Sequence, residues 1–159
     1  MISTPFTVTR LADSAIKNDS NLVDDDTLTF SFDGDSSTIL WVEAFLLVSA
    51  ANTTMDFKWS WDRSTSTISG YHGVLGSTSG TLGGWYAAAT SSNPATIASA
   101  LTGSVSVGTV AGVMGLGIGA LMYVGSASGT ITLQWAQTTT DAGNLQLLKG
   151  SFLRITRLA

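Results

Sequence analysis

Residues 38–49 read TILWVEAFLLVS and residues 55–62 read MDFKWSWD; these two stretches decide the fold class. In the second, Met55, Phe57, Trp59 and Trp61 fall on one side, and Asp56, Lys58, Ser60 and Asp62 on the other. That period of two is the pattern of a strand with one face in a core and the other toward water. The first stretch is apolar at both parities except for Glu43, as expected of a central strand covered on both faces. Residues 50–54, AANTT, supply the turn between them.

Working outward, residues 27–32 alternate with Leu28, Phe30 and Phe32 on one side. Residues 113–124, VMGLGIGALMYV, place Met114, Leu116, Ile118, Ala120, Met122 and Val124 on one face and Gly115, Gly117 and Gly119 on the other. Glycine at alternate strand positions is expected where another surface approaches closely, within the sandwich or at a symmetry axis. Further strands are expected in TITLQWAQ (130–137), around 145–148 and in SFLRITRL (151–158). Residues 63–108 are rich in Gly, Ser and Thr and read as a variable, loop-rich region with short strands around 68–75 and 96–101. Helix formers are sparse throughout. About eight strands with short turns predict an all-β, single-domain antiparallel β-sandwich spanning residues 1–159.

The 159 residues carry seven Lys or Arg, eleven Asp or Glu, one His and no Cys, with a net charge of −4. Charged residues make up 11% of the chain, against a usual share of about 25%. Between Arg63 and Asp141 lie 77 consecutive residues without a charge. The scattered basic residues form no stripe that would hold nucleic acid. Plentiful aromatic and β-branched residues argue against disorder. The longest apolar run, residues 110–124, contains four glycines and is shorter than the roughly 20 residues that cross a bilayer. Residues 1–5, MISTP, show no leader pattern, so a soluble chain without membrane contact is expected. A folded chain of this mass exposes roughly 7,500 Å², about one charge per 400 Å². Surfaces of Ser, Thr, Gly and aromatics, depleted in Lys and Glu, are typical of subunit interfaces.

Candidate chemistry is thin. His72, in GYHGVLG, is the one residue able to serve a serine triad, but no Ser carries the flanking pattern of a nucleophile elbow; an exposed or hydrogen-bonded loop histidine is expected. Asp13, Asp19, Asp24, Asp25, Asp26, Asp33 and Asp35 crowd the N-terminal quarter, without the spacing of a known calcium loop. Solvated turns are the expectation there, a bound cation the competing one. Glu43 is the sole candidate for a buried catalytic acid, and a pairing with Lys58 or Arg154 is expected instead, because a lone buried carboxylate is costly. Gly115-x-Gly117-x-Gly119 lacks the lysine of a phosphate loop. The Asn18 and Asn52 acceptor patterns carry little without a leader. Trp41, Trp59, Trp61 and Trp135 are expected in the core, while Trp85 and Tyr86 are expected on an exposed loop.

Two segments carry a resemblance. GTITLQWAQTTTDAGNLQLLKGSFLRITRLA (129–159) and LVDDDTLTFSF (22–32) resemble small structural proteins of tailed bacteriophages. The resemblance implies a jelly-roll similar to the tumour-necrosis-factor shape, assembled as a homotrimer. It implies no catalytic residue, metal or cofactor. The expected role is a capsid decoration (cement) protein on the outer capsid lattice of the virion, with the major capsid protein or another virion protein as partner. The alternative is a minor tail or fibre module that binds a host glycan or protein through Tyr71, His72, Trp85 and Tyr86. An enzyme such as a glycan hydrolase is the third reading, decided by whether Glu43 is paired. Tyr71, Trp85, Tyr86, Gly115, Gly117 and Gly119 are the expected subunit or capsid contacts.

Overall fold

The computed structural model describes residues 5–35, 38–53, 55–65, 67–78, 98–101 and 103–159. Among them are eleven strands: β1 (Phe6–Thr9), β2 (Val23–Asp33), β3 (Ile39–Ala50), β4 (Phe57–Arg63), β5 (Ser69–Thr78), β6 (Ala98–Ala100), β7 (Val105–Val107), β8 (Gly112–Tyr123), β9 (Ser128–Gln137), β10 (Leu145–Leu147) and β11 (Phe152–Arg157). They form two antiparallel sheets. The larger has seven strands in the order β1-β11-β3-β8-β5-β6, with β10 also paired to β3; the smaller runs β2-β9-β4-β7. This is a β-sandwich, as the alternating stretches imply.

The pairing is nested. β1 pairs β11, β2 pairs β9, β3 pairs β8 and β4 pairs β7, while β11 also lies against β3 and β9 against β4. The chain passes from one sheet to the other between successive strands from β1 to β4, and again from β7 to β9. β5 and β6 fall between β4 and β7 and extend the larger sheet beyond β8.

The core fills the space between the sheets. β4 contributes Phe57, Trp59 and Trp61, all buried, with Met55 just before it. The Phe57 ring stacks on both Trp59 and Trp135, at centroid distances of 6.2 and 6.1 Å. From the larger sheet, Leu40, Val42, Ala44, Leu46 and Val48 of β3 and Met114, Leu116, Ile118, Ala120 and Met122 of β8 face them.

Three expectations change. The short strand expected around residues 68–75 is a ten-residue strand of the larger sheet, Ser69–Thr78, so GYHGVLG is strand and not the loop expected around His72. Strand pairing with β8 makes that strand despite its poor propensity. Trp41 is half-buried on the outer face of β3 rather than in the core. An unbroken apolar run carries no parity signal, so its inward face is set by the neighbouring strands. For the same reason β3 is not equally covered on both sides: its inner residues are buried and Ile39, Trp41, Glu43, Phe45, Leu47 and Ser49 only half-buried.

Gly70 is fixed by its backbone. It has φ of +147°, and a Cβ there would overlap the carbonyl oxygen of Leu121 on β8. Gly70→Ala is therefore expected to cost about 1–3 kcal/mol, read as a lowered thermal midpoint; an unchanged midpoint would contradict this account of β5.

Candidate functional site

On the outer face of the larger sheet, part of the charge-free stretch meets the surface. Because Met114 to Met122 point into the core at every second position, Gly115, Gly117 and Gly119 lie on the opposite face of β8. Register sets Gly115 opposite Leu47, Gly117 opposite Phe45 and Gly119 opposite Glu43 on β3. On the other side, β5 sets Gly76 opposite Gly117 and Gly73 opposite Gly119. Five glycines on two adjacent strands thus make a strip without side chains, bordered by the larger residues of β3. Gly115, Gly117 and Gly119 are themselves buried. They lower the surface there rather than project from it.

Beside the strip, Phe45 pairs with Phe152 of β11 at 5.8 Å between ring centroids. Trp41 and Leu47 continue the row, Val113 stands exposed at one end, and Tyr123 at the other. Tyr71, 64% exposed, lies on the neighbouring β5 opposite Leu121, diagonal to Tyr123. It is an exposed side chain on a strand, not on a loop. Trp85 and Tyr86 lie outside the described residues.

The charged residues of this face, Glu43 and Arg154, neutralise each other. They are cross-strand neighbours on β3 and β11, and Arg154 Nε donates to Glu43 Oε2 at 2.6 Å. Lys58 is elsewhere, donating to the carbonyl of Ser20 at 2.7 Å. An acid poised for glycoside hydrolysis would need a buried carboxyl held apart from a cation; Glu43 has neither property.

His72 is not a loop histidine. It occupies β5, is 1% exposed, and sits edge-on to Trp59 at 6.1 Å between ring centroids. Residues of β5 alternate, so exposure of Tyr71 puts His72 into the core. The two are therefore not neighbours on an exposed loop.

The aspartates do not converge. Asp19 lies 3.6 Å from Lys17 Nζ, Asp24 accepts from Gln134 Nε2, Asp13 accepts from the backbone N–H of Lys149, and Asp35 pairs with Arg157. Among the described residues no group of three potential ligands could hold a metal ion. The cation that meets Asp25 and Asp26 is Arg10. Its Nη1 donates to both Asp25 oxygens at 2.7 and 2.6 Å, and its Nη2 to Asp26 Oδ1 at 2.7 Å. Between the Asp24–Gln134 and Thr29–Thr132 pairs, β2 bulges away from β9. The bulge turns Asp25 inward, where it also accepts from the backbone N–H of Thr27 and Leu28 and from Trp135 Nε1. Sequence reading found the aspartates but not this partner, which lies 15 residues away. The available signal was an isolated arginine ahead of an Asp-rich strand.

No known protein family, curated protein or solved structure matches the chain.

Proposed function

We propose that the chain is a non-enzymatic structural module that works as a homotrimer, and specifically a jelly-roll decoration protein of a bacteriophage virion. The observation that carries the first part is the outer face of the seven-stranded sheet. It combines a row of Trp41, Phe45, Leu47 and Phe152 with a glycine strip, and its one ion pair is internally satisfied. A face of this composition suits close packing against identical copies, because it presents apolar area in which the two charges, Glu43 and Arg154, already partner each other. Cyclic symmetry would bury it in every subunit. The nested strand pairing supports the jelly-roll, since rolling two Greek keys together produces that order.

The virion role rests on the likeness of residues 129–159 and 22–32 to small phage structural proteins. A trimer at local threefold positions would reinforce the lattice by linking major capsid subunits, its binding energy adding to that of the shell. The test is cosedimentation of the purified protein with undecorated capsids of the cognate major capsid protein. Saturable binding together with a raised capsid disruption temperature is expected. Absence of binding would overturn the decoration reading.

A further inference from the structure

At one end of the sandwich the β4–β5 and β8–β9 connections face each other across a cleft of about 620 Å³. Thr65, Thr67, Ser69, Ser126 and Ser128 line it together with Tyr123 and residues 124, 125 and 127. Every lining residue belongs to the 77-residue stretch without a charge. This has a chemical consequence. Phosphate, carboxylate, ammonium and metal ligands would find no countercharge on these walls, whereas a neutral, polyhydroxylated ligand would find groups that both donate and accept. Tyr123, 44% exposed, adds an aromatic surface with a polar tip, the combination that suits the apolar face of a sugar ring and its rim of hydroxyls. Tyr71 stands diagonally from it across the β5–β8 pair, within reach of a second sugar unit.

The walls are held by their own bonds. The backbone N–H groups of Val124 and Gly125 both donate to the carbonyl of Thr38, at 3.0 and 3.2 Å, and Gly34 N donates to the carbonyl of Ala127 at 2.9 Å. Opposite, the Arg63 guanidinium donates to the Ile68 carbonyl, and Ser64 exchanges two hydrogen bonds with the backbone of Thr130. Thr65 and Thr67 hydroxyls are bonded to each other at 3.0 Å, which fixes both. A site braced in this way loses little freedom on binding, and its volume falls in the range of small-ligand pockets.

We propose that this cleft is a binding site for a neutral saccharide, with Tyr123 as the stacking platform and the Thr and Ser hydroxyls as the polar contacts. It adjoins the glycine-lined face at Tyr123, while its Thr and Ser residues lie at the end of the sandwich; saccharide binding is tested by the titration below and assembly by the oligomeric state, so either can fail alone.

The test is a nuclear magnetic resonance titration of the intact protein with glucose, galactose, N-acetylglucosamine and linear trisaccharides of each. For at least one probe, saturable shifts confined to residues 65–69 and 123–128 are expected at concentrations up to about 10 mM. Tyr123→Ala should weaken that binding about tenfold and Tyr123→Phe about threefold or less. Ser126→Glu, at an exposed turn position, should weaken it comparably without moving the thermal midpoint. Absence of saturable shifts with the whole panel would overturn the proposal. So would shifts mapping elsewhere, equal binding by Tyr123→Ala, or stronger binding of inorganic phosphate than of any sugar.

Discussion

Replacing Arg10 by Met is expected to destabilise the fold by roughly 3–5 kcal/mol, because it strands a buried carboxylate. Arg10 and Asp25 side chains are 3% and 1% exposed. Asp25 spends its lone pairs on the guanidinium, two backbone N–H groups and the Trp135 indole. Without the guanidinium the negative charge remains buried with only neutral donors. At about 2–4 °C per kcal/mol for a chain of this size, the thermal midpoint should fall by roughly ten degrees or more. Arg10→Met combined with Asp25→Asn should recover part of the loss, since no charge is then left in the core. A midpoint within about two degrees of wild type for Arg10→Met would contradict the role given to the pair.

The same network has a mild pH dependence through Asp26. The hydrogen bond from Arg10 holds its carboxyl below the usual value of 3.8; slight burial works the other way, and the Arg10 charge and Thr27 add to the lowering. A folded-state value below the unfolded one means that the contribution is present above about pH 3.8 and is lost as pH falls through the folded value. With the Asp26 side chain 77% exposed, the contribution is small and screened by salt.

Trp59→Ala is expected to cost about 3–5 kcal/mol, the usual range for emptying an aromatic site in a core. Trp59 is fully buried, stacks on Phe57 and meets His72 edge-on. Its indole N–H has no acceptor among the described residues. Trp59→Phe should therefore cost less than half as much: it keeps a ring against Phe57 and removes an unsatisfied donor, itself a penalty of about 1–3 kcal/mol. Equal losses for the two variants in denaturant melts would contradict this, because they would show that keeping a ring against Phe57 recovers nothing.

The strands that announced themselves were those with one buried parity. Met55 to Trp61, Leu28 to Phe32 and Met114 to Met122 all present the inward face their alternation implies. Where both parities are apolar or both are small, the pattern is silent. Residues 38–49 showed a strand but not which side of it Trp41 occupies. GYHGVLG showed a short strand but neither its full length nor the inward side of His72, because its glycines leave no apolar parity until β8 is laid beside them. β1 and β7 span four and three residues at sheet edges, too short to set a period. The candidate face was legible only in part. The glycines of 115–119 were visible as a pattern, but their alignment with Gly73 and Gly76 is a property of register between distant strands. The Glu43–Arg154 pair was among the expected alternatives because each residue had few possible partners in so sparsely charged a chain.

The described residues of the 77-residue uncharged stretch thus fall in three settings: core burial along β8 and β9, a glycine-lined sheet face, and a neutral cleft at one end of the sandwich. The first needs no partner, whereas the second is the basis for the assembly proposed above. Sedimentation equilibrium of the purified chain at micromolar concentration tests that claim most directly. The account predicts a single species of three times the 16.5 kDa chain mass, undiluted to monomer across the accessible range; a stable 16.5 kDa monomer throughout would contradict it.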